Sequence, residues 1–266
     1  MWGMTGAAYL RLKEPEYEDG VGTPRKMSRQ GSKLPDALAV SSQLMWTHND
    51  PHDFITALAA IWGQFVANDI RYECSICQLV TKIYIVSFQH LLTYTHFALI
   101  TFSYTLPLSG YEQCCDSMFR KENAMECYPI VANTNEAICQ EYVRSAIGLK
   151  PGCSLGAREQ MNFATAYLDG SGIYGSTPKS SEDLRLLKGG LLKMDSGRVL
   201  PLDEHNPNCR LVNGCVRSGD ERVNHNAGIA AVHTVFAREH NRVARLLADV
   251  NPHWDEETIY QVRRKI

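Results

Sequence analysis

The chain is short of the features that define several protein classes. Across its 266 residues there is no internal repeat, which excludes solenoids and propellers. No Lys/Arg block runs longer than Arg263-Arg264-Lys265, and 27 basic against 29 acidic residues leave a formal net charge of -2. Nothing in that balance asks for nucleic acid as a partner. The N-terminus, Met1-Trp2-Gly3-Met4 and on to Tyr9-Leu10-Arg11, has no charged start followed by an apolar core, so no secretory signal is read in it. No Asn-x-Ser/Thr sequon occurs. The one nearly uncharged run, 74 to 108, keeps only Lys82 as a formal charge, yet Gln89, His90, Thr93, Thr95 and His96 interrupt it. A membrane helix needs about 20 predominantly apolar residues, and no span is expected.

What is present is a chain 44% hydrophobic and 21% charged, long enough to bury a sizeable core. Nine cysteines, several close together, read as an oxidised, extracytoplasmic framework, and the odd count leaves at least one thiol unpaired. Spacing alone leaves the connectivity open; local pairs Cys139 with Cys153 and Cys209 with Cys215 are expected. The first fifty residues, with Pro15-Glu16-Tyr17-Glu18-Asp19-Gly20 and Thr23-Pro24-Arg25, form an extended, turn-filled arm that needs a body to lie on. After it the pattern is mainly α. Apolar positions Phe54, Leu58, Ile61, Trp62 and Phe65 predict a helix from Asp53 through Asp69. Further helices are expected at 136–147 and 180–187, the latter stopped by Gly189-Gly190. Residues 191–200, with Asp195-Ser196-Gly197 inside, read as one short hairpin. The longest helix should run from Gly228 to Val250 with Ile229, Val232, Phe236, Val243 and Leu247 on its apolar side. A last helix starts at Asp255 with Ile259, Val262 and Ile266 on one face. That stripe stops mid-face, so the expectation is a truncated chain.

Several segments carry more than periodicity. Trp62-Gly63-Gln64-Phe65-Val66-Ala67-Asn68-Asp69 and Ala237-Arg238-Glu239-His240-Asn241-Arg242, the latter followed by Asn251-Pro252-His253-Trp254-Asp255, resemble the animal haem peroxidase family of the peroxidasin and peroxinectin type. Tyr17-Glu18-Asp19-Gly20, Arg158-Glu159-Gln160-Met161-Asn162, Tyr167 to Ser176 and Gly219-Asp220-Glu221-Arg222-Val223-Asn224 support it in the same order. The resemblance implies a mainly α, partial haem peroxidase fold over residues 1–266, the distal half of the domain. It also marks about 71–110 as an atypical apolar insertion. That composition is what translated A/T-rich non-coding sequence would give, so a retained intron is expected, with a real hairpin or a membrane-attachment segment as alternatives.

The resemblance further implies haem b and Ca2+ as cofactors, and hydrogen peroxide with a small or protein-tyrosine reductant as substrates. Cleaving peroxide needs a basic group to move its proton and a guanidinium to stabilise the departing oxygen. Gln64 matches the family's distal glutamine and Arg222 its distal arginine. The distal histidine position, however, holds Asn68, and the two haem-ester carboxylate positions hold Ala67 and His225. The proximal histidine falls beyond residue 266. These departures predict weak haem binding and a weak or inactive enzyme. The family's calcium positions agree in full: Asp69, Thr165, Tyr167, Asp169 and Ser171 offer hydroxyl, carbonyl and carboxylate oxygens to a hard cation. Localisation is expected to be extracellular by family and cysteine usage. The alternative reading is a non-catalytic, calcium-binding extracellular interaction protein on a degenerate peroxidase fold.

Overall fold

The computed structural model describes residues 3–35, 39–40, 43, 56–73, 114–122, 126–132, 138–140, 142–150, 155–204 and 214–266. The expected insertion at about 71–110 lies outside these from residue 74 onward, as do Cys153, Cys209 and the first residues of the helix expected from Asp53. The chain is mostly helical and divides into two compact units: Met1–Gly6, Asp50–Tyr72 and Phe163–Ile266 form a helical unit, and Ala7–Asn49 and Glu73–Asn162 a strand-containing one. Among the described residues no helix is long and apolar enough to cross a membrane.

In the helical unit, helix α1 spans Ala57–Ile70. Its Ala-Leu-Ala-Ala start has high intrinsic propensity, but Thr56 makes no side-chain cap and neither end carries a charge that complements the helix dipole. Packing therefore holds it. Phe65 is buried among Ile173, Tyr174, Val223, Ile229 and Ala237, with Ile61 against the same cluster. Phe65 also stacks on Phe236 at 5.2 Å and on Trp62 at 5.6 Å. Burying one such side chain contributes about 1.5–3 kcal/mol, more than a cap would.

A single turn, α3 in chain order after the α2 helix Ser117–Glu122, spans Ser171–Tyr174, and α4 spans Pro178–Leu184. Helix α4 begins two residues earlier than expected because Thr177 and Ser180 form a reciprocal capping box with Pro178 at the first position. It ends at Leu184, three residues short of expectation, with Arg185 extended at the C-cap, so the glycine pair, left-handed at φ 62° and 66°, lies beyond the helix and does not stop it. Gly190 is also pressed against the last helix: a Cβ there would lie 2.6 Å from Ile259 Cγ2. At 195–199 the expected turn forms, with Ser196 and Gly197 both at positive φ, but the ladder is the single bridge Asp195–Val199 rather than two strands.

Helix α5, Ala227–Val250, is capped by Asn226, whose Oδ1 accepts from Ile229 N–H at 2.9 Å. Its length is as expected; its buried face is not. Ile229, His233, Ala237, His240, Asn241 and Ala244 are buried, whereas Phe236 is partly exposed and Val243 and Leu247 are only half-buried. The inward stripe includes polar residues because each finds a polar partner there. Asn241 grips the Leu192 backbone with both amide atoms, at 2.8 and 2.9 Å. His240 lies between Tyr174 Oη at 3.1 Å and the Gly190 carbonyl at 2.8 Å. Helix α6, Glu256–Lys265, is capped by Asp255 as expected and buries Ile259, Tyr260 and Arg263, while Ile266 stays 74% exposed.

The strand unit contains a three-stranded antiparallel sheet of β1 (Ala7–Ala8), β5 (Glu159–Asn162) and β4 (Ile147–Gly148), with β5 central. A separate hairpin pairs β2 (Ile130–Ala132) with β3 (Ile138–Gln140). This corrects the helix expected at 136–147: those described residues are extended. The β3 residue Cys139 is paired in register with Val131 and bonded to Cys115, which fixes the segment as a strand against its helical periodicity. The same bond corrects the expected Cys139–Cys153 pair. Cys114 bonds Cys127, and Cys215 is disulfide-bonded. The arm does find its body: Tyr17 Oη donates to the Arg158 carbonyl at 3.0 Å and Arg11 Nε to Glu159 at 2.5 Å. Arg158 in turn is buried in a two-bond fork on Glu126 at 2.5 and 2.8 Å.

Candidate functional site

The C-terminal turns of α1 deliver the predicted residues at helical spacing. Gln64 and Asn68, four apart, share one face. Asn68 and Asp69, adjacent in sequence, are both buried, with 9% and 5% exposure, while Ala67 is exposed. The two buried neighbours have opposite environments.

Asp69 is enclosed by the loop that runs into α3. Its Oδ2 accepts from Gly170 N–H at 3.1 Å; its Oδ1 accepts from Ser171 Oγ at 3.1 Å and Gly172 N–H at 3.2 Å. The loop is ordered internally by Asp169, whose Oδ1 accepts from Thr165 Oγ1 and from Ser171 N–H, each at 3.0 Å. Thr165 Oγ1 also lies 3.3 Å from the Tyr167 carbonyl. These bonds link four of the expected calcium positions, Asp69, Thr165, Asp169 and Ser171, and the Tyr167 carbonyl lies beside the Thr165 hydroxyl. They supply two carboxylates with hydroxyl and carbonyl oxygens, a donor set that fits a hard divalent cation. Among the described residues no group of three or more His, Cys, Asp or Glu could hold a metal ion.

Arg222 sits on a short 3-10 turn, Glu221–Asn224, begun by Asp220. Asp220 Oδ1 accepts from the Arg222 backbone N–H at 2.7 Å and from its Nε at 2.9 Å. The far end of the guanidinium donates to the Asn68 carbonyl through Nη2 and the Arg71 carbonyl through Nη1, each at 2.7 Å. The Tyr72 ring lies 4.2 Å from the guanidinium carbon. With side-chain exposures of 12% and 9%, Arg222 and Asp220 form a mostly buried ion pair aimed at the end of α1. A close backbone approach ties this turn to the Asp69 loop. Asp220 N–H donates to the Gly172 carbonyl at 3.0 Å, and any Cβ on Gly219 would meet Ser171 O at 2.3 Å.

Gln64 Oε1 accepts from Asn226 Nδ2 at 3.0 Å, so the residue that caps α5 also orients the glutamine. By contrast Asn68 Nδ2 is buried without a hydrogen-bond partner among the described residues. His225 is exposed, one residue past the 3-10 turn. Behind the site lies His233, 1% exposed, its Nδ1 2.9 Å from Ser218 Oγ and its ring edge-on to Phe65. Ser218 Oγ spends its proton on the Gly172 carbonyl at 2.9 Å, so Nδ1–H of His233 donates to it. Burial pushes the His233 pKa down to about 4, against the opposing pull of Asp220. Its Nε2 lacks a partner and faces Gly172, where a Cβ would lie 3.8 Å away. His233 is thus a neutral residue enclosed by the core.

The structure brings Gln64, Asn68, Arg222 and the Asp69 loop into one neighbourhood. Sequence reasoning missed Asp220, which clamps the arginine, Asn226, which holds the glutamine, Ser218 and the half-exposed Tyr72. Only Asn226 had a signal, as an Asn ahead of an apolar helical run.

This fold is that of a peroxidase. The structure is similar to peroxidase A of Dictyostelium discoideum, with a TM-score of 0.65 over 98% of this chain and 46% of that one at 21% identity. The family profile described as animal haem peroxidase matches residues 1–76 and 89–266, and the chain belongs to that family. The unmatched 77–88 falls inside the apolar stretch. The chain is 32% identical over its whole length to a chorion peroxidase of Aedes aegypti and 32% identical to a peroxidasin homolog of Caenorhabditis elegans, spanning 32% and 20% of those proteins. A chorion peroxidase of Drosophila melanogaster is 29% identical, with 32% of it covered.

Family membership implies haem, and the residues present test that implication. At the positions that the resemblance assigns to the haem-ester carboxylates, Ala67 and His225 are exposed and carry no carboxylate. At the position it assigns to the distal proton-moving group stands the amide of Asn68, which has no basic nitrogen.

Proposed function

We propose that this chain is part of a haem peroxidase, whose family chemistry is peroxide-dependent oxidation of a small donor or a protein tyrosine, and that its activity is limited at Asn68. The observation that carries the reading is the buried, unpartnered amide of Asn68 directly beside the carbonyl that Arg222 holds. Arg222, fixed by Asp220, keeps a positive charge at the end of α1 where a departing oxygen would develop negative charge. Asn68 can donate a hydrogen bond there but cannot take up and return a proton. The loss of such a group lowers rates by roughly 10²- to 10⁴-fold. Haem, when bound, supplies the redox chemistry. The disulfides support an oxidising, extracellular compartment.

A second reading, a calcium-binding interaction protein without catalysis, is supported by the hydrogen bonds that link Asp69, Ser171, Asp169 and Thr165 in one loop. One experiment separates the two. The protein that carries this chain together with the segment supplying the proximal histidine, and its Asn68→His variant, are titrated with haem, checked for a Soret band, and assayed for peroxide consumption with and without Ca2+. The first reading expects both to hold haem and the variant to turn over roughly 10²- to 10⁴-fold faster. Equal rates overturn the assignment of Asn68 as the limit. No Soret band in either, together with a Ca2+-dependent rise in melting temperature, selects the second reading.

A further inference from the structure

One contact in the site does more than hold a side chain in place, because it decides which end of an amide is left free. An Asn or Gln amide accepts at its carbonyl end and donates at its NH2 end, so turning it over reverses what it offers. At Asn226 the choice is forced. Ile229 N–H, a backbone group that can only donate, lies 2.9 Å from Asn226 Oδ1. The other end of that amide is therefore Nδ2, and it donates to Gln64 Oε1 at 3.0 Å. With Oε1 engaged, the end of Gln64 left over is Nε2, which makes no hydrogen bond with a described residue. The residue that starts α5 thus dictates the polarity of the Gln64 amide.

The relay is short because the start of α5 is pressed against α1. A Cβ on Gly228, in the first turn of α5, would lie 2.6 Å from Ile61 Cδ1 and 3.2 Å from Asn226 Oδ1. Ile61 precedes Gln64 by three residues and shares its side of α1. Each of these contacts lies within the helical unit. Gln64 also shares a face with Asn68, whose Nδ2 has no partner among the described residues either. We propose that Asn226 is a positioning residue, which holds Gln64 with Nε2 free to donate a hydrogen bond to the lone-pair atom of a ligand bound at the Asn68 face. Where that ligand binds rests on the peroxidase reading; the relay from Ile229 through Asn226 to Gln64 does not.

Asn226→Asp inverts the relay without removing the cap. Asp keeps one oxygen on Ile229 N–H and caps a helix as well as Asn does, but its second oxygen can only accept. Gln64 must then donate Nε2 to it and leave Oε1 free. The test uses the protein that carries this chain together with the segment supplying the proximal histidine. In its haem-free form, isotope-edited NMR of the side-chain amides should show one Asn226 Nδ2 proton shifted downfield. Gln64→Leu should abolish that shift, and in Asn226→Asp a Gln64 Nε2 proton should acquire it. In the haem-loaded form, fluoride, an anion that only accepts hydrogen bonds, is titrated by the shift of the Soret band. Its affinity should fall about three- to tenfold in Asn226→Asp. The same substitution in a Gln64→Leu background should change it less than about twofold. An unshifted Asn226 proton, an unchanged fluoride affinity, or an equal loss in both backgrounds overturns the proposal. Absence of a Soret band overturns the peroxidase reading instead, and the amide spectra, which need no haem, still decide the role of Asn226. Should Asn226→Asp fail to fold by circular dichroism, the Gln64→Leu spectrum, which leaves the cap untouched, decides it.

Discussion

Asn68 and Asp69 are neighbours on one helix, almost equally buried, and yet one side chain is saturated and the other idle. Asp69 accepts from two backbone N–H groups and a hydroxyl, all delivered by the loop before and within α3. Asn68 Nδ2 has no partner among the described residues, while its backbone carbonyl accepts from Arg222. A step of one residue turns the side chain by about 100° around the helix. That rotation separates a side whose partners are built into this chain from a side whose polar group has none among the described residues. The first side is tied by donors of this chain to the loop before α3; the second is where a ligand or a catalytic partner would have to meet the protein.

The largest effect expected from this contrast is at Asp69. Asp69→Ala leaves Gly170 N–H and Gly172 N–H without their acceptor, while Ser171 Oγ keeps only the residue 69 backbone carbonyl at 3.2 Å. Each orphaned group costs about 1–3 kcal/mol, so a loss of roughly 3–5 kcal/mol is expected after partial relaxation. Urea unfolding of the chain and the variant measures it. A loss below about 1 kcal/mol would show that the loop does not depend on Asp69 and would erase the contrast.

How much of this was legible in the sequence follows the same divide between local and long-range causes. Helices α5 and α6 were readable because their apolar spacing, and in α6 the cap Asp255, lie within the elements themselves. The buried face of α5 was misread because His233, His240 and Asn241 go inward only when Ser218, Tyr174, Gly190 and Leu192 arrive from elsewhere in the chain. The segment 136–147 was misread as helix because periodicity cannot see the bond from Cys139 to Cys115. At the site, Gln64, Asn68, Asp69 and Arg222 were found by their motif context. The clamp by Asp220 depends on a turn geometry that residue type alone does not announce.

A second expected effect concerns pH. Burial pushes both His233 and His240 down to about 4 from an ordinary 6.5. The unfolded chain therefore binds more protons than the folded one between pH 6.5 and 4. Their contribution to stability is fully present above pH 6.5 and is lost as pH falls through this window, by about 3 kcal/mol for each histidine. His233 couples this loss to the Asp69 side through Ser218 and the Gly172 carbonyl. Unfolding free energies measured at pH 7 and pH 4.5 should differ by several kcal/mol, and His233→Gln should shrink the difference. An unchanged difference in that variant would place the acid sensitivity elsewhere.

The smallest expected change is the one that bears most directly on the idle side. Asn68→Leu keeps nearly the same volume and removes a buried amide whose Nδ2 has no partner. An unsatisfied buried donor costs about 1–3 kcal/mol, whereas a lost hydrogen bond would cost about 1 kcal/mol in the other direction. The substitution should therefore leave stability unchanged or raise it by up to about 1 kcal/mol, while Arg222 keeps its bond to the residue 68 backbone carbonyl, which leucine retains. Thermal and urea unfolding both read this sign. A fall of more than about 1 kcal/mol would mean that the Asn68 amide is satisfied in the folded protein, and the asymmetry between the two sides of α1 would then be one of partner identity rather than of partner absence.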